Sequence, residues 1–222
     1  MTAMYYKEWI KTRWYLLLAF LTLMGFTGYS MLRFYRALGM KGAEHLWEVM
    51  LTRDAIFVDL LTYIPVLLGI VLALVQFMPE MHRKCLKLTL HLPCSHQRML
   101  YEMLSFGIVS LLVLFAVSFL ILFAFFSKYL APELCSHVLL TTLPWYLSGW
   151  AAYLLLSWIC LEPTWKMRVF NLIITLLILR IFFLSSSPEA YNYFLPGLTV
   201  LTLLTGSFSA ISVQRFKEGK QD

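Results

Sequence analysis

Five side chains of metal-ligating type crowd one short segment of the chain: His82-x2-Cys85, then His91-x2-Cys94-x-His96. Imidazoles and thiols at close spacing are zinc-ligand types. On a helix, His82 and Cys85 would share a face at i,i+3, as would His91 and Cys94. The spacings match no zinc finger and no Cys-x2-Cys is present, so the segment reads as a decorated helix without a metal. A second set is Asp59 and Arg180, the charged residues set deepest in apolar stretches. Ionisable groups at membrane depth are costly and are paired or functional. Both fall about a turn inside the same expected membrane face, which leaves three readings: an ion pair between them, snorkelling toward headgroups, or contact with a substrate. Bond-making chemistry finds no support. There is no His-Glu-x2-His, no Gly-x-Ser-x-Gly and no pair of acids within an apolar run. A Gly-x4-Gly-Lys-Ser/Thr loop is also missing, so the chain has no means of cradling ATP phosphates itself. No catalytic residue is assigned.

The elements that would position these residues follow from composition. Of 222 residues, 60% are hydrophobic and 14% charged, against about 25% charged in a typical soluble domain; the mean hydropathy is +0.75. A soluble fold of this composition would carry intolerable apolar surface. The balance excludes an ordinary soluble enzyme, a disordered chain, a disulfide-rich secreted domain and a nucleic-acid partner. Six long apolar runs are visible: Trp14–Leu32, Ala55–Met78, Met103–Phe126, Val138–Cys160, Val169–Ser185 and Tyr193–Val213. Each is compatible with the roughly 17–25 residues a membrane helix needs. None alternates as a membrane strand would.

The predicted fold is therefore all-α and integral to the membrane. It has six transmembrane helices in one domain over residues 1–222. Lys and Arg number twelve in the segments on the N-terminal side of the membrane and five on the other, with Arg180 inside a span. Both termini are expected in the cytoplasm. The first span is too long for the apolar core of a cleavable signal, and no small-residue cleavage site follows it. Residues Met4–Arg13 read as a short amphipathic helix, with Tyr5, Trp9 and Arg13 on one stripe and Lys7 and Lys11 on another, suited to the headgroup boundary. Cys85, Cys94 and Cys160 fall on the reducing side and Cys135 on the other, so no disulfide framework is expected. Pro65, Pro144 and Gly149 interrupt or kink helices. Ser148, Gly149, Ala151 and Ala152 permit close helix approach, while Trp145, Tyr146 and Trp150 suggest an interfacial aromatic belt.

The stretch from Pro79 to Arg98 is basic and too long for a simple turn. Leu86, Leu88, Leu90 and Leu92 alternate with polar residues, yet a lone strand is not stable. As a helix, Leu86/Leu90 and Leu88/Leu92 stack at i,i+4, Pro93 ends it, and Ser95 caps the next helix. The pattern Glu80-x3-Lys84-Cys85-Leu86-x3-Leu90-x-Leu92-Pro93-Cys94-Ser95-His96 resembles the signature of ABC-2-type permeases. In that family a Glu, a Gly-Thr-Leu, a leucine-rich stretch and a Leu-Pro-x-Ser-Arg follow the second span. Glu80, Leu86, Leu90, Leu92, Pro93 and Ser95 match; Lys84-Cys85 replaces the Gly-Thr and His96 the Arg.

The resemblance implies a cytoplasmic coupling helix between spans two and three. That helix docks on a separate ATPase subunit, which binds ATP-Mg. A second, smaller contact would lie at Glu162, Pro163 and Lys166. It further implies a multi-pass protein of the bacterial inner (plasma) membrane, and an exporter built from two permease chains, as a homodimer or with a paralogue. Two other classes compete: a non-transporting membrane scaffold, which would look much the same in sequence, and an intramembrane enzyme. A secondary transporter is disfavoured by the absence of visible repeats. The few polar residues in the spans suggest an apolar or amphiphilic cargo, or a closed, regulatory dimer interface.

Overall fold

A computed structural model describes residues 2–42, 47–50, 52, 56–82, 96–185 and 187–217. Among these residues the secondary structure is helical, with no strand. The long helices are α1 (Thr2–Lys41), α2 (Ile64–His82), α3 (His96–Tyr129), α4 (Pro132–Leu161), α5 (Trp165–Ile181) and α6 (Leu195–Lys217). Short 3-10 turns at Asp59–Leu61 and Asn192–Phe194 precede α2 and α6.

Five segments are long and apolar enough to cross a membrane: Met4–Met40, Asp59–Met81, Gln97–Tyr129, Pro132–Leu161 and Asn192–Arg215. The remaining predicted span falls on α5, which has 17 residues, the lower limit for a crossing. Its helix stops before the predicted Ser185 because Tyr191 folds back over its end. The Tyr191 hydroxyl donates to the Ile181 carbonyl at 3.0 Å and accepts the backbone N–H groups of Leu184 and Ser185 at 2.8 and 3.1 Å. One side chain thus pairs the Ile181 carbonyl, among the groups that a helix end leaves open, and two N–H groups of the turn beyond it. The long helices also present rows of exposed apolar side chains, among them Leu17, Leu21, Val113, Leu176, Leu177 and Leu203. Such surface suits hydrocarbon rather than water.

Two boundaries depart from expectation. The predicted amphipathic helix and first span are one unbroken 40-residue helix. It is about 60 Å long, against a hydrocarbon core of about 30 Å. Nothing between Met4 and Leu32 breaks it, since no proline occurs there. The second span begins at Ile64 rather than near Ala55, and Pro65 lies in its first turn. There the missing N–H carries no penalty, so Pro65 opens the helix instead of interrupting it. The helix then runs through Pro79 to His82, and α4 likewise continues through Pro144.

Helix α4 is the hub. It starts where Pro132 occupies the first turn with Glu133 beside it, and most of its residues are buried. It packs mainly on α2 and α6, and also on α3 and α5. The tightest approach is between α2 and α4. A Cβ placed on Gly69 would lie 2.1 Å from the Gly149 carbonyl oxygen, and one on Gly149 would lie 2.7 Å from the Pro65 carbonyl oxygen. Only glycine permits the two backbones to touch in this way. Ser148, Ala151 and Ala152, also fully buried, extend the small-residue face expected there.

The contacts sort the helix ends into two groups. Lys7 meets Glu80, Tyr5 meets Ser105, and Glu162 meets Ser212. These pairs gather the start of α1, the end of α2, the start of α3 and the ends of α4 and α6 at one face. Arg33 with Asp59, Phe34 with Phe126, and Tyr63 with Phe183 gather the opposite ends. At the second face Phe34 is fully buried among Phe57, Phe125 and Phe126, with ring centroids 5.2–5.9 Å away. Successive long helices thus alternate in direction between the two faces.

Candidate functional site

The first face holds two buried carboxylates at the points where the chain leaves the helices. Lys7 and Lys11 stand one turn apart on α1, on the side facing the end of α2. Lys7 Nζ lies 2.8 Å and Lys11 Nζ 3.0 Å from Glu80 Oε1. Lys11 also reaches Glu8 Oε2 at 2.9 Å. Glu8 and Glu80 are 0% and 3% exposed, while Lys11 and Lys7 retain 19% and 38%. Two cations thus balance two anions, which is the condition for keeping charge in an apolar site. The lysine stripe assigned to the headgroups is therefore corrected: Lys7 and Lys11 turn inward onto Glu80.

One turn before Glu80, Gln76 continues the polar seam. Its Nε2 donates to the Met103 carbonyl at 2.8 Å and its Oε1 accepts from the Tyr153 hydroxyl at 2.7 Å. Tyr153 is fully buried, and Gly107 leaves the room for its ring: a Cβ there would lie 2.1 Å from the phenol oxygen. Tyr5 closes the seam through a 2.7 Å bond to Ser105. Hydrogen bonds and ion pairs thus join four helices, with Glu80 Oε2 left without a hydrogen-bond partner among the described residues.

Glu162 forms the second centre. It sits just past the end of α4 with an extended backbone, and Pro163 after it prevents the helix from continuing. Its carboxylate accepts from Thr164 at 3.1 Å and from Ser212, and lies 3.7 Å from the Arg215 guanidinium. Arg168 Nε donates to its backbone carbonyl at 2.7 Å. The carboxylate therefore ties the α4–α5 turn to the end of α6. Glu162 is fully buried, Pro163 half-buried and Lys166 exposed. Of the predicted second contact, only Lys166 stands free at the surface; Glu162 braces the turn from beneath.

The predicted pairing of Asp59 with Arg180 is not what forms. Asp59 lies on the turn before α2, with its carboxylate 3.6 Å from Arg33 of α1. Arg180 is exposed on the last turn of α5 and makes no ion pair with it. Equal depth in the sequence order did not make the two elements neighbours. With side chains 46% and 58% exposed, the Arg33–Asp59 pair is of the weak, screened kind. Asp59 also lines a cavity of about 370 Å³ at this face, with Tyr63, Thr141, Trp145, Glu189 and Tyr191. Glu189 holds a left-handed backbone, φ 57°, and its N–H donates to Thr141 Oγ1 at 3.3 Å.

Of the expected aromatic belt, Tyr146 turns inward, while Trp145 and Trp150 are half-buried. Tyr146 is buried, packs on Phe115 with centroids 5.2 Å apart, and bonds Ser118 at 3.0 Å. Leu86, Leu90, Leu92, Pro93 and Ser95 lie outside the described residues, as do Cys85, His91 and Cys94. His96 opens α3. Among the described residues no three His, Cys, Asp or Glu side chains gather as metal ligands. The partners of Glu80 were missed although the sequence carried a signal: Lys7, Glu8 and Lys11 are spaced to share one stripe, and Glu80 is an acid at the end of an apolar run. No family model, curated protein or solved structure matches this chain.

Proposed function

We propose that this chain is the membrane-spanning subunit of an ATP-binding cassette transporter of the ABC-2 permease type. In this reading a separate ATPase subunit binds ATP-Mg and drives export. The chain crosses the membrane six times, α5 being its shortest crossing, with both termini in the cytoplasm. A second copy or a paralogue completes the pathway.

The observation that supports it is the bracing of Glu80. A docking element transmits force only if its base does not yield. The segment after His82 leaves a helix whose last turn is tied through Glu80 to α1, and through Gln76 to α3 and α4. A push on that segment would reach four helices at once. Glu162 gives the α4–α5 turn a comparable anchor to α6. In this reading ATP hydrolysis falls to the partner ATPase, since residues 1–222 carry no phosphate-cradling loop.

Substitution in the segment tests the proposal. Leu90→Asp is expected to lower ATPase recovery with the tagged chain at least about tenfold, the effect of placing one charge in an apolar contact. Pro93→Ala should leave the complex assembled and lower transport-linked ATP turnover. Neither should change the thermal midpoint of the helical bundle. Wild-type assembly and turnover in both variants would reject the docking role. Assembly without any nucleotide-dependent response, in wild type as well, would favour the scaffold reading.

A further inference from the structure

Helices α1 and α3 run in the same direction and touch at three levels, Tyr5 with Ser105, Thr27 with Ser118 and Phe34 with Phe126. The stretch from Tyr5 to Thr27 is about 33 Å of helix axis, whereas that from Ser105 to Ser118 is about 20 Å. Beyond Thr27 and Ser118 the two helices stay in step, about 10 Å to Phe34 and about 12 Å to Phe126, so the mismatch falls between Tyr5 and Thr27, where space opens between them. That space is a groove of about 730 Å³, walled by Trp9, Leu17 and Phe20 on one side and Phe106, Val109 and Val113 on the other.

Its lining is nearly all hydrocarbon. The Tyr5 hydroxyl and the Ser110 hydroxyl, which also border it, are engaged with Ser105 and with the Phe106 carbonyl. The charged group at its edge is Arg13, which is exposed, with its guanidinium 5.8 Å from the centre of the Trp14 ring. Lys7 and Lys11 on the same helix are held by Glu80 and Glu8. The groove therefore combines an apolar slot, which continues along α1 to Phe20, with one cation about midway along its α1 wall. Trp9 and Trp14 flank Arg13 along the same wall, and such amphipathic rings suit the headgroup level.

An unfilled slot of this size would forfeit dispersion contacts along its whole wall. A guanidinium presents paired donors that suit phosphate oxygens. We propose that the α1–α3 groove binds one acyl chain of an anionic phospholipid, whose headgroup is held by Arg13. The exposed cation on the α1 wall favours this occupant over a second copy of the chain. The inference requires only that the apolar helices lie in a bilayer, and it stands whether or not an ATPase docks.

The test is native mass spectrometry of the full chain, released from micelles containing equimolar phosphatidylglycerol and phosphatidylcholine with identical acyl chains. Phosphatidylglycerol should be retained about fivefold over phosphatidylcholine, the effect of one basic residue at a lipid surface. Arg13→Gln should bring the ratio close to one and Arg13→Lys should restore part of it. Val109→Trp, which fills the slot from α3, should reduce retention of both lipids. Arg13 and Val109 are both exposed, so the fold is expected to survive each change. Equal retention by the wild type, a preference surviving Arg13→Gln, or undiminished retention by Val109→Trp would overturn the proposal. Efficient disulfide formation between copies carrying Leu17→Cys would overturn it too, because the groove would then face another chain.

Discussion

Gly69→Ala is expected to destabilise the helical bundle by about 3 kcal/mol, the upper range for overpacking a well-filled interior. The added methyl carbon would sit 2.1 Å from the Gly149 carbonyl oxygen and 3.2 Å from the Tyr153 backbone nitrogen. Both obstacles are backbone, so no side-chain rotation relieves the clash and α2 must move away from α4. Because α4 touches most of the other helices, the displacement spreads through the bundle. Tyr153, whose hydroxyl bonds Gln76 of α2, lies beside the crossing and should be pulled from its partner. Gly25→Ala is the control. Nothing stands within 4 Å of a Cβ at that position, and the change should be neutral or stabilise by up to about 1 kcal/mol through helix propensity. Thermal unfolding of both variants in one detergent checks the contrast. Equal midpoints would refute the close α2–α4 approach.

Glu80→Gln carries the second large effect. It removes one of two anions from a neutral group of four charges and leaves Lys7 and Lys11 facing Glu8 alone. Breaking a buried ion pair costs about 3–5 kcal/mol. A value near 3 is expected here, since Lys7 is already 38% exposed and can turn to water. Lys7→Met should cost much less, because Lys11 bridges both carboxylates without it. The ranking of the two variants is the informative quantity, measured as the shift in thermal midpoint at low salt. If Lys7→Met matched or exceeded Glu80→Gln, Glu80 would not be the centre of the cluster. Under the permease reading Glu80→Gln should also lower ATPase stimulation more than its thermal loss explains, because the base of the docking segment would yield under load.

The helical class was legible because each apolar run is long and lacks alternation. The six runs correspond to six helices even where their ends differ. The ends were less legible for physical reasons. The start of α1 mixes Tyr, Lys and Trp, which interrupts the apolar pattern without interrupting the helix, so one element read as two. Tyr191 ends α5 from ten residues away, a contact with no local signal. Pro65 is ambiguous in sequence, because proline suits the first turn of a helix as well as it breaks the middle.

For the site, spacing conveyed which residues were unusual and left their partners open. Glu80 was singled out by its place in a motif, and Glu162 by its place in a short loop. Their partners lie on α1 and α6, remote in sequence. Depth alone sets Asp59 level with Arg180, whereas packing brings Arg33 of α1 to it. Lys7 and Lys11 were assigned to headgroups because the stripe was basic; that Glu80 faces it depends on how α1 packs on α2. The crossing at Gly69 and Gly149 was half legible: Gly149 stood in a small-residue cluster, while Gly69 is the only glycine in its apolar run.

The measurement that tests the central claim most directly is recovery of the tagged chain from its native membrane in a mild detergent, with partners identified by mass spectrometry. The account predicts a Walker-motif ATPase recovered in about equal amount with the chain. Clean recovery of the chain without any ATPase, repeated across several detergents, would contradict it.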